Sequence, residues 1–336
     1  MPGSRETVIL DPLFDRDGAA AMVELGERHC VYRTYGEHER IEIPEGPGLE
    51  PREDSIRNFL RTGGLRASQE GIRTLAARTS YFREEYAYGG KVLVPGIEPF
   101  LHHAGLVDGA RRVHGREVIE PQIAYANLMV PGQELAVHTD VPEFRGANRK
   151  VIPQWLLVVM QHSGLFDAWR MHIATGIAWF SDGNGGALAY WPDGADAAPR
   201  YHPTKTNTAM VLDTDTVFHG VDRVADVDGP DVPAIGPGAT LTPGADGKWE
   251  LRDISGAPAG TYAFDELRFS VSWKAYCFAD TAERDAWRAG SDDLALDLIL
   301  DRLVIDLERR TGTPATRDPA LGRKLIDEYV HFPAMA

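Results

Sequence analysis

Apolar positions along this chain change their period twice. From residue 1 to about 118 they recur mainly at helical spacing. Asp54-Ser55 is placed to cap a short helix that carries Ile56, Phe59 and Leu60 on one face before Gly63-Gly64 stops it. Ser68 opens a longer helical stretch with Ile72, Leu75, Ala76, Tyr81, Phe82 and Tyr86, up to Gly89-Gly90. From Pro121 the period shortens to that of strands. The candidates are Gln122 to Val130, Glu134 to Val141, Trp155 to Gln161, Thr175 to Phe180, Ala187 to Trp191, Thr208 to Leu212, Val217 to Val221 and Leu267 to Phe278. They are rich in Val, Ile, Leu, Trp and Tyr and are separated by Gly, Pro, Asp and Asn clusters. Asp182-Gly183-Asn184-Gly185-Gly186 gives the clearest hairpin signal.

Eight short strands at such spacing predict a jelly roll, a mainly β core with flanking helices. Residues 119–278 form this core, with an insertion over 225–263 where the composition shifts to Gly, Pro and Asp, as in Val227-Asp228-Gly229-Pro230. The insertion has room for a small hairpin, Ala239 to Leu241 against Lys248 to Leu251, and is placed to act as a lid at the barrel mouth. Residues 1–118 then read as a helical region packed on the core, and 279–336 as C-terminal helices. In the latter Ser291 is placed as a cap, and Leu296, Ile299, Leu300, Leu303 and Leu307 share a face ending near Gly312. That stripe must be buried, either against the core or in a homodimer contact.

Composition narrows the partners. The chain has 336 residues, 43% hydrophobic and 25% charged, with a formal charge of −15. The acidic balance argues against nucleic acid and anionic membrane surfaces as partners. No apolar run approaches the ~18 residues of a membrane span, and the two cysteines, Cys30 and Cys277, form no ligand or disulfide pattern. A cytoplasmic protein acting on a small molecule is the expectation.

The candidate chemistry centres on His138-Thr139-Asp140. Two residues apart on an extended strand, the His and the Asp point to one side, and both can reach one ion. His219, in the apolar stretch Thr216 to Val221, is the candidate third ligand. A lone His on an apolar strand is ordinarily a packed core residue. Two histidines and one carboxylate brought together by strands of a jelly roll form the set that holds Fe(II) with open positions. His102, His103, His114, His162, His172 and His202 lack a carboxylate partner at strand spacing and read as structural or surface residues, and Asp213 and Asp215 read as turn residues.

The order His138-Thr139-Asp140, then His219-Gly220-Val221, then Arg268-Phe269-Ser270 resembles the Fe(II)/2-oxoglutarate-dependent dioxygenase superfamily. The resemblance covers roughly residues 120–278 and implies a double-stranded β-helix. It implies Fe(II) on His138, Asp140 and His219, with 2-oxoglutarate and O2 as cosubstrates, and a 2-oxoglutarate carboxylate on Arg268 and Ser270. Guanidinium suits this role because its planar fork donates two parallel hydrogen bonds and stays charged when desolvated. Tyr125 and Asn127, on one face of the first core strand, are placed to support cosubstrate or ligands. One departure stands out: 49 residues separate His219 from Arg268, more than the family usually shows, and the insertion accounts for them. Lys274 and Arg223 are the substitutes if Arg268 does not serve. Asp140 where halogenating members carry Gly or Ala points away from halogenation.

The implied reaction couples oxidative decarboxylation of 2-oxoglutarate, with release of succinate and CO2, to hydroxylation of a small molecule that is amino-acid-like or a secondary metabolite. Desaturation, ring closure and epimerisation use the same iron site and stay open. Arg145 and Arg149, in the loop after Asp140, are candidate substrate contacts. Other readings are a cupin-type isomerase, a carbohydrate-binding jelly roll with Trp179, Tyr190 and Trp191 as a sugar platform, and a peptide hydroxylase with an open groove.

Overall fold

Strand β15 (Arg268–Phe278) shows in eleven residues how the sequence positions the site. Phe269, Val271, Trp273, Ala275 and Cys277 alternate with Arg268, Ser270, Ser272 and Lys274, so one face enters the main apolar core while the other lines a polar cavity. The computed structural model describes residues 5–29, 31–34, 49–225, 235–244 and 247–334. Cys30 and Val227-Asp228-Gly229-Pro230 lie outside the described residues.

In chain order come β1 (Val8–Leu10), α1 (Arg16–Arg28), β2 (Tyr32–Thr34), α2 (Glu53–Thr62), α3 (Ile72–Thr79), β3 (Phe82–Tyr88), β4 (Lys91–Val92), α4 (Glu98–Leu101) and α5 (Ala104–His114). There follow β5 (Val118–Met129), β6 (Leu135–His138), α6 (Gln154–Ser163), β7 (His172–Trp179), β8 (Leu188–Tyr190), β9 (Arg200–His202), β10 (Thr208–Leu212) and β11 (His219–Val221). After β12 (Thr240–Pro243), β13 (Lys248–Arg252), β14 (Pro258–Ala263) and β15, three helices close the chain: α7 (Thr281–Ala289), α8 (Leu296–Thr311) and α9 (Leu321–Tyr329).

The core strands are β5 to β11 and β15. One sheet contains the order β10-β7-β15-β5 and the other is β6-β11-β8-β9, and all these pairings are antiparallel. Numbered along the chain, one sheet thus holds the sixth, third, eighth and first core strands, and the other the second, seventh, fourth and fifth. Because the chain crosses between sheets in this way, the arrangement is a jelly roll, as expected.

Several expectations need correction. Trp155 to Gln161 is not a strand but lies in α6, buried over its first seven residues. A short, wholly apolar run has no period to separate buried helix from buried strand. The strand that completes the set of eight is instead β9, whose exposed Arg200 and Tyr201 hid it. Residues 1–118 carry the helices α1 to α5, but the stretch from Ser68 is not one helix: it breaks after Thr79, and Phe82–Tyr88 pairs with β5 as a strand. Asp54 and Ser55 lie inside α2 rather than capping it, although Gly63 ends the helix in a left-handed conformation as expected. Asp182 to Gly186 is no hairpin, since it carries the chain from one sheet to the other.

The described part of the 225–263 insertion is not a lid. Its strands β12, β13 and β14 extend the larger sheet beyond β2, with Leu241, Trp249 and Leu251 in the main core. Ser291 caps nothing, because α8 starts after Ala295. Its apolar stripe packs within the chain, in a second core of α6, α8 and α9. No described helix is long and apolar enough to cross a membrane.

Candidate active site

His138 ends β6 and His219 opens β11, and the two residues are direct partners in the antiparallel register. Their rings therefore lie next to each other across the sheet, with centroids 4.3 Å apart and planes tilted by 49°. Each ring is oriented through its Nδ1, which meets the Ala136 carbonyl at 2.8 Å in His138 and the Val217 carbonyl at 3.0 Å in His219. With Nδ1 donating to a carbonyl, Nε2 of each ring is left with a lone pair, the state a metal requires. Asp140 lies just past the end of β6, where its backbone N–H donates to the Thr214 carbonyl at 2.9 Å. Its Oδ1 stands 3.5 Å from His138 Nε2 and 3.8 Å from His219 Nε2.

Donor atoms of the three residues all lie within 4.8 Å of one another. Two imidazole nitrogens and one carboxylate oxygen on one side of a space are a donor set suited to a ferrous ion with open positions. The electrostatics agree. Burial would raise the Asp140 carboxyl, but Lys274 above all, with His138 and His219, holds it well below the usual carboxylate range. Burial, then the neighbouring His138, lowers His219 to about 3, so its imidazole is neutral.

Lys274 Nζ donates to Asp140 Oδ2 at 2.7 Å, which turns Oδ1 toward the histidines. Lys274 is thus engaged with a candidate ligand, and Arg223 is bonded to Ser68 Oγ at 2.6 Å, away from the cavity lining. Arg268 lines the cavity from the start of β15. It is 3% exposed, with Nε donating to the Gly186 carbonyl at 2.8 Å and a terminal nitrogen to Ser270 Oγ at 3.0 Å. Among the described residues no carboxylate pairs with it, and burial lowers it to about 10.

Arg268, Ser270, Tyr125 and Asn127 all line one cavity with the three candidate ligands. Asn127 donates to Ser272 Oγ at 3.3 Å while its Oδ1 is buried without a partner. The Arg83 guanidinium stacks over the Tyr125 ring at 3.5 Å. Arg149 lines the cavity, whereas Arg145 is turned away, held by Asp292 Oδ1 at 2.8 Å and the Ala168 carbonyl. Trp179, Tyr190 and Trp191 are buried, so they offer no sugar platform.

Reading the sequence alone missed Arg52, Arg83 and the support of the ligand loop. Arg52 donates to the Thr139 carbonyl at 3.0 Å and to buried Asp54. His162 Nε2 meets Thr139 Oγ1 at 3.3 Å and its ring packs on Phe218, so this histidine braces the neighbours of two candidate ligands. Asp213 pairs with Arg170 at 2.7 Å besides shaping its turn. Asp215 is more than a turn residue: it is fully buried with both oxygens lacking a partner, and burial pushes its carboxyl up to about 8.

No family model matches the chain, and no curated protein matches it. Among solved structures it is similar to an oxidoreductase of the 2OG-Fe(II) oxygenase family from Burkholderia pseudomallei, at 13% identity and a TM-score of 0.40 over 80% of this chain and 85% of that one. It is similar too to HygX from Streptomyces hygroscopicus, with nickel, 2-oxoglutarate and hygromycin B bound, at 9% identity and a TM-score of 0.39 over 82% and 84%. A Pseudomonas putida prolyl-4-hydroxylase follows at 10% identity and a TM-score of 0.37 over 81% and 92%. These are distant likenesses. The chemistry proposed below rests on the chain's own side chains.

Proposed function

We propose that this protein is a non-haem Fe(II)- and 2-oxoglutarate-dependent oxygenase that hydroxylates a small molecule. The observation that carries the reading is a two-histidine, one-carboxylate cluster sharing its cavity with a buried arginine that no carboxylate pairs with among the described residues. A lone buried guanidinium is costly, and an anion brought by a cosubstrate offsets that cost. In the net reaction, 2-oxoglutarate, O2 and R–H give succinate, CO2 and R–OH.

His138, Asp140 and His219 would hold the ion, which when bound supplies the redox chemistry that couples decarboxylation to attack on an unactivated C–H bond. Arg268 and Ser270 bind the far carboxylate of the 2-oxo acid, the first as a charged donor and the second as a hydroxyl donor on the same strand face. Tyr125 and Asn127 add polar contacts from the neighbouring strand. Ile177, Leu188 and Val221 give the cavity an apolar wall that limits water near the reacting carbon.

The test is succinate formation on mixing the protein with Fe(II), ascorbate, 2-oxoglutarate and air, even without the true substrate. Slow uncoupled turnover is expected, and His138→Ala and Asp140→Ala should each abolish it. Turnover that survives in both variants, or no decarboxylation with any candidate substrate, contradicts the reading.

A further inference from the structure

Close to the candidate metal cluster lies a second buried carboxylate to which the oxygenase reading assigns no work. Asp215 occupies the turn between β10 and β11, fully buried, and no protein group among the described residues bonds either of its oxygens. An ionised carboxylate so placed is costly, and its neutral form much less so. Burial accordingly pushes its carboxyl up to about 8.

The turn is tied to the cluster on two sides. The Thr214 carbonyl accepts the Asp140 N–H at 2.9 Å, and the Thr214 hydroxyl meets Thr175 Oγ1 at 2.6 Å. Thr175 is the cross-strand partner of Lys274. Lys274 is buried, and among the described residues its ammonium uses one of three N–H donors, on Asp140 Oδ2 at 2.7 Å. Of the charges that act on Asp215, Lys274 of β15 comes first, then Asp213 of the same turn, Arg170 ahead of β7 and Asp140 after β6. Asp213 is itself engaged by Arg170 at 2.7 Å and by the Thr216 hydroxyl at 2.8 Å. The nearby Cys277 thiol is pushed up by burial to about 12 and is uncharged. Two cations and two anions thus oppose one another around Asp215, and a change at Asp140 tips the balance.

Binding of a divalent ion at Asp140 is such a change. With its charge shared by the ion, Asp140 repels Asp215 less and holds Lys274 less firmly, while positive charge is added nearby. Resting on the oxygenase reading, we infer that Asp215 is a second counter-ion for Lys274, neutral in the metal-free protein and ionised once a divalent ion occupies Asp140. The exchange balances: one divalent ion and the protonated protein give the metal-bound protein and one H+, the O–H bond of Asp215 breaking and its proton passing to solvent. Asp215 is thus a positioning residue. It keeps Lys274 compensated, so that the ammonium does not compete with the ion for Asp140.

The experiment titrates the full chain with Mn(II) by calorimetry at pH 7 in two buffers of different ionisation enthalpy, which counts the protons released. Asp140 and His219 are already proton-free there and contribute none, and protons from any other group cancel in the comparison with Asp215→Asn. The wild type should release about one proton more per ion than the variant. At pH 8 it should bind Mn(II) at least about tenfold more tightly than the variant, with the gap closing as pH falls. Asparagine resembles the neutral acid in shape and charge, so the metal-free variant should fold with a Tm within a few degrees of the wild type. Infrared difference spectra of the wild type need no variant, and a carboxylic-acid C=O band should bleach on addition of Mn(II). Equal proton counts in the two folded proteins, or Mn(II) bound with no such band lost, overturns the inference. Failure of the wild type to bind Mn(II) sinks the oxygenase reading instead, and the two failures are thus told apart.

Discussion

At the scale of single residues, the side chains around the cavity divide by the kind of partner they have. Arg268 is fixed by neutral acceptors on two sides, the Gly186 carbonyl and the Ser270 hydroxyl, so its fork is aimed before any anion arrives. Arg268→Lys keeps the charge but loses the two-pronged geometry. It should raise the KM for 2-oxoglutarate by about tenfold to a hundredfold, the equivalent of ~1.5–3 kcal/mol for a charged hydrogen bond, with little effect on metal affinity measured by calorimetry.

His162 gives a pH prediction. Burial above all lowers it to about 4, so it is neutral in the folded protein, whereas an unfolded imidazole titrates near ~6.5. Between those values the unfolded chain binds more protons, so the stability tied to a neutral His162 is complete above pH ~6.5 and is lost as pH falls toward 4. His172, lowered to about 3 by burial and by Arg116 and Arg170, acts in the same direction. Urea unfolding should lose roughly 1–2 kcal/mol from His162 by pH 5, and His162→Asn should make the slope shallower. An unchanged slope would show that the ring is not held neutral.

At the scale of elements, the loop between β7 and β8 decides where Arg268 points. Gly186 has a φ of +67°, and a Cβ there would stand 2.7 Å from Arg268 Cδ. Both backbone conformation and space therefore require glycine. Gly186→Ala should raise the KM for 2-oxoglutarate about tenfold or more, through displacement of the guanidinium by a fraction of an ångström to an ångström, while iron affinity holds.

The same scale shows what the chain's pattern reveals about its fold. Strands with one polar and one apolar face, such as Arg268 to Phe278, announce themselves by strict alternation, and the polar face lists the cavity residues in order. Trp155 to Met160 is apolar throughout, and only its surroundings make it a helix. Phe82-Arg83-Glu84-Glu85-Tyr86 carries charge on both faces at the sheet's helical flank, and reading it as helix hid Arg83 from the cavity. The cluster of His138, Asp140 and His219 was legible because their residue types and spacing are unusual for packed strands. Lys274, Arg52 and His162 were not recognisable as supports, since nothing local in the sequence says which distant backbone they meet.

At the scale of the whole molecule, two apolar cores hold the two halves of the cavity. The larger packs α1, α4 and α5 on the sheet that carries Arg268, and the second gathers α6, α8 and α9 beside the loop that carries Asp140. With this much buried apolar surface, the fold should form without the metal. Mn(II) with 2-oxoglutarate at about a hundredfold over Kd should add ~2.7 kcal/mol, a rise in Tm of several degrees, and Asp140→Ala should abolish the rise while itself lowering the ligand-free Tm, because it leaves Lys274 buried without its carboxylate.

If one iron and one 2-oxoglutarate share this cavity, anaerobic titration of the Fe(II)-loaded protein with 2-oxoglutarate should give a weak visible charge-transfer band. The band should saturate at one 2-oxoglutarate per chain, vanish in His219→Ala, and in Arg268→Gln appear only at much higher concentration. Iron bound with no band at any 2-oxoglutarate concentration, or a band indifferent to both substitutions, would contradict such sharing.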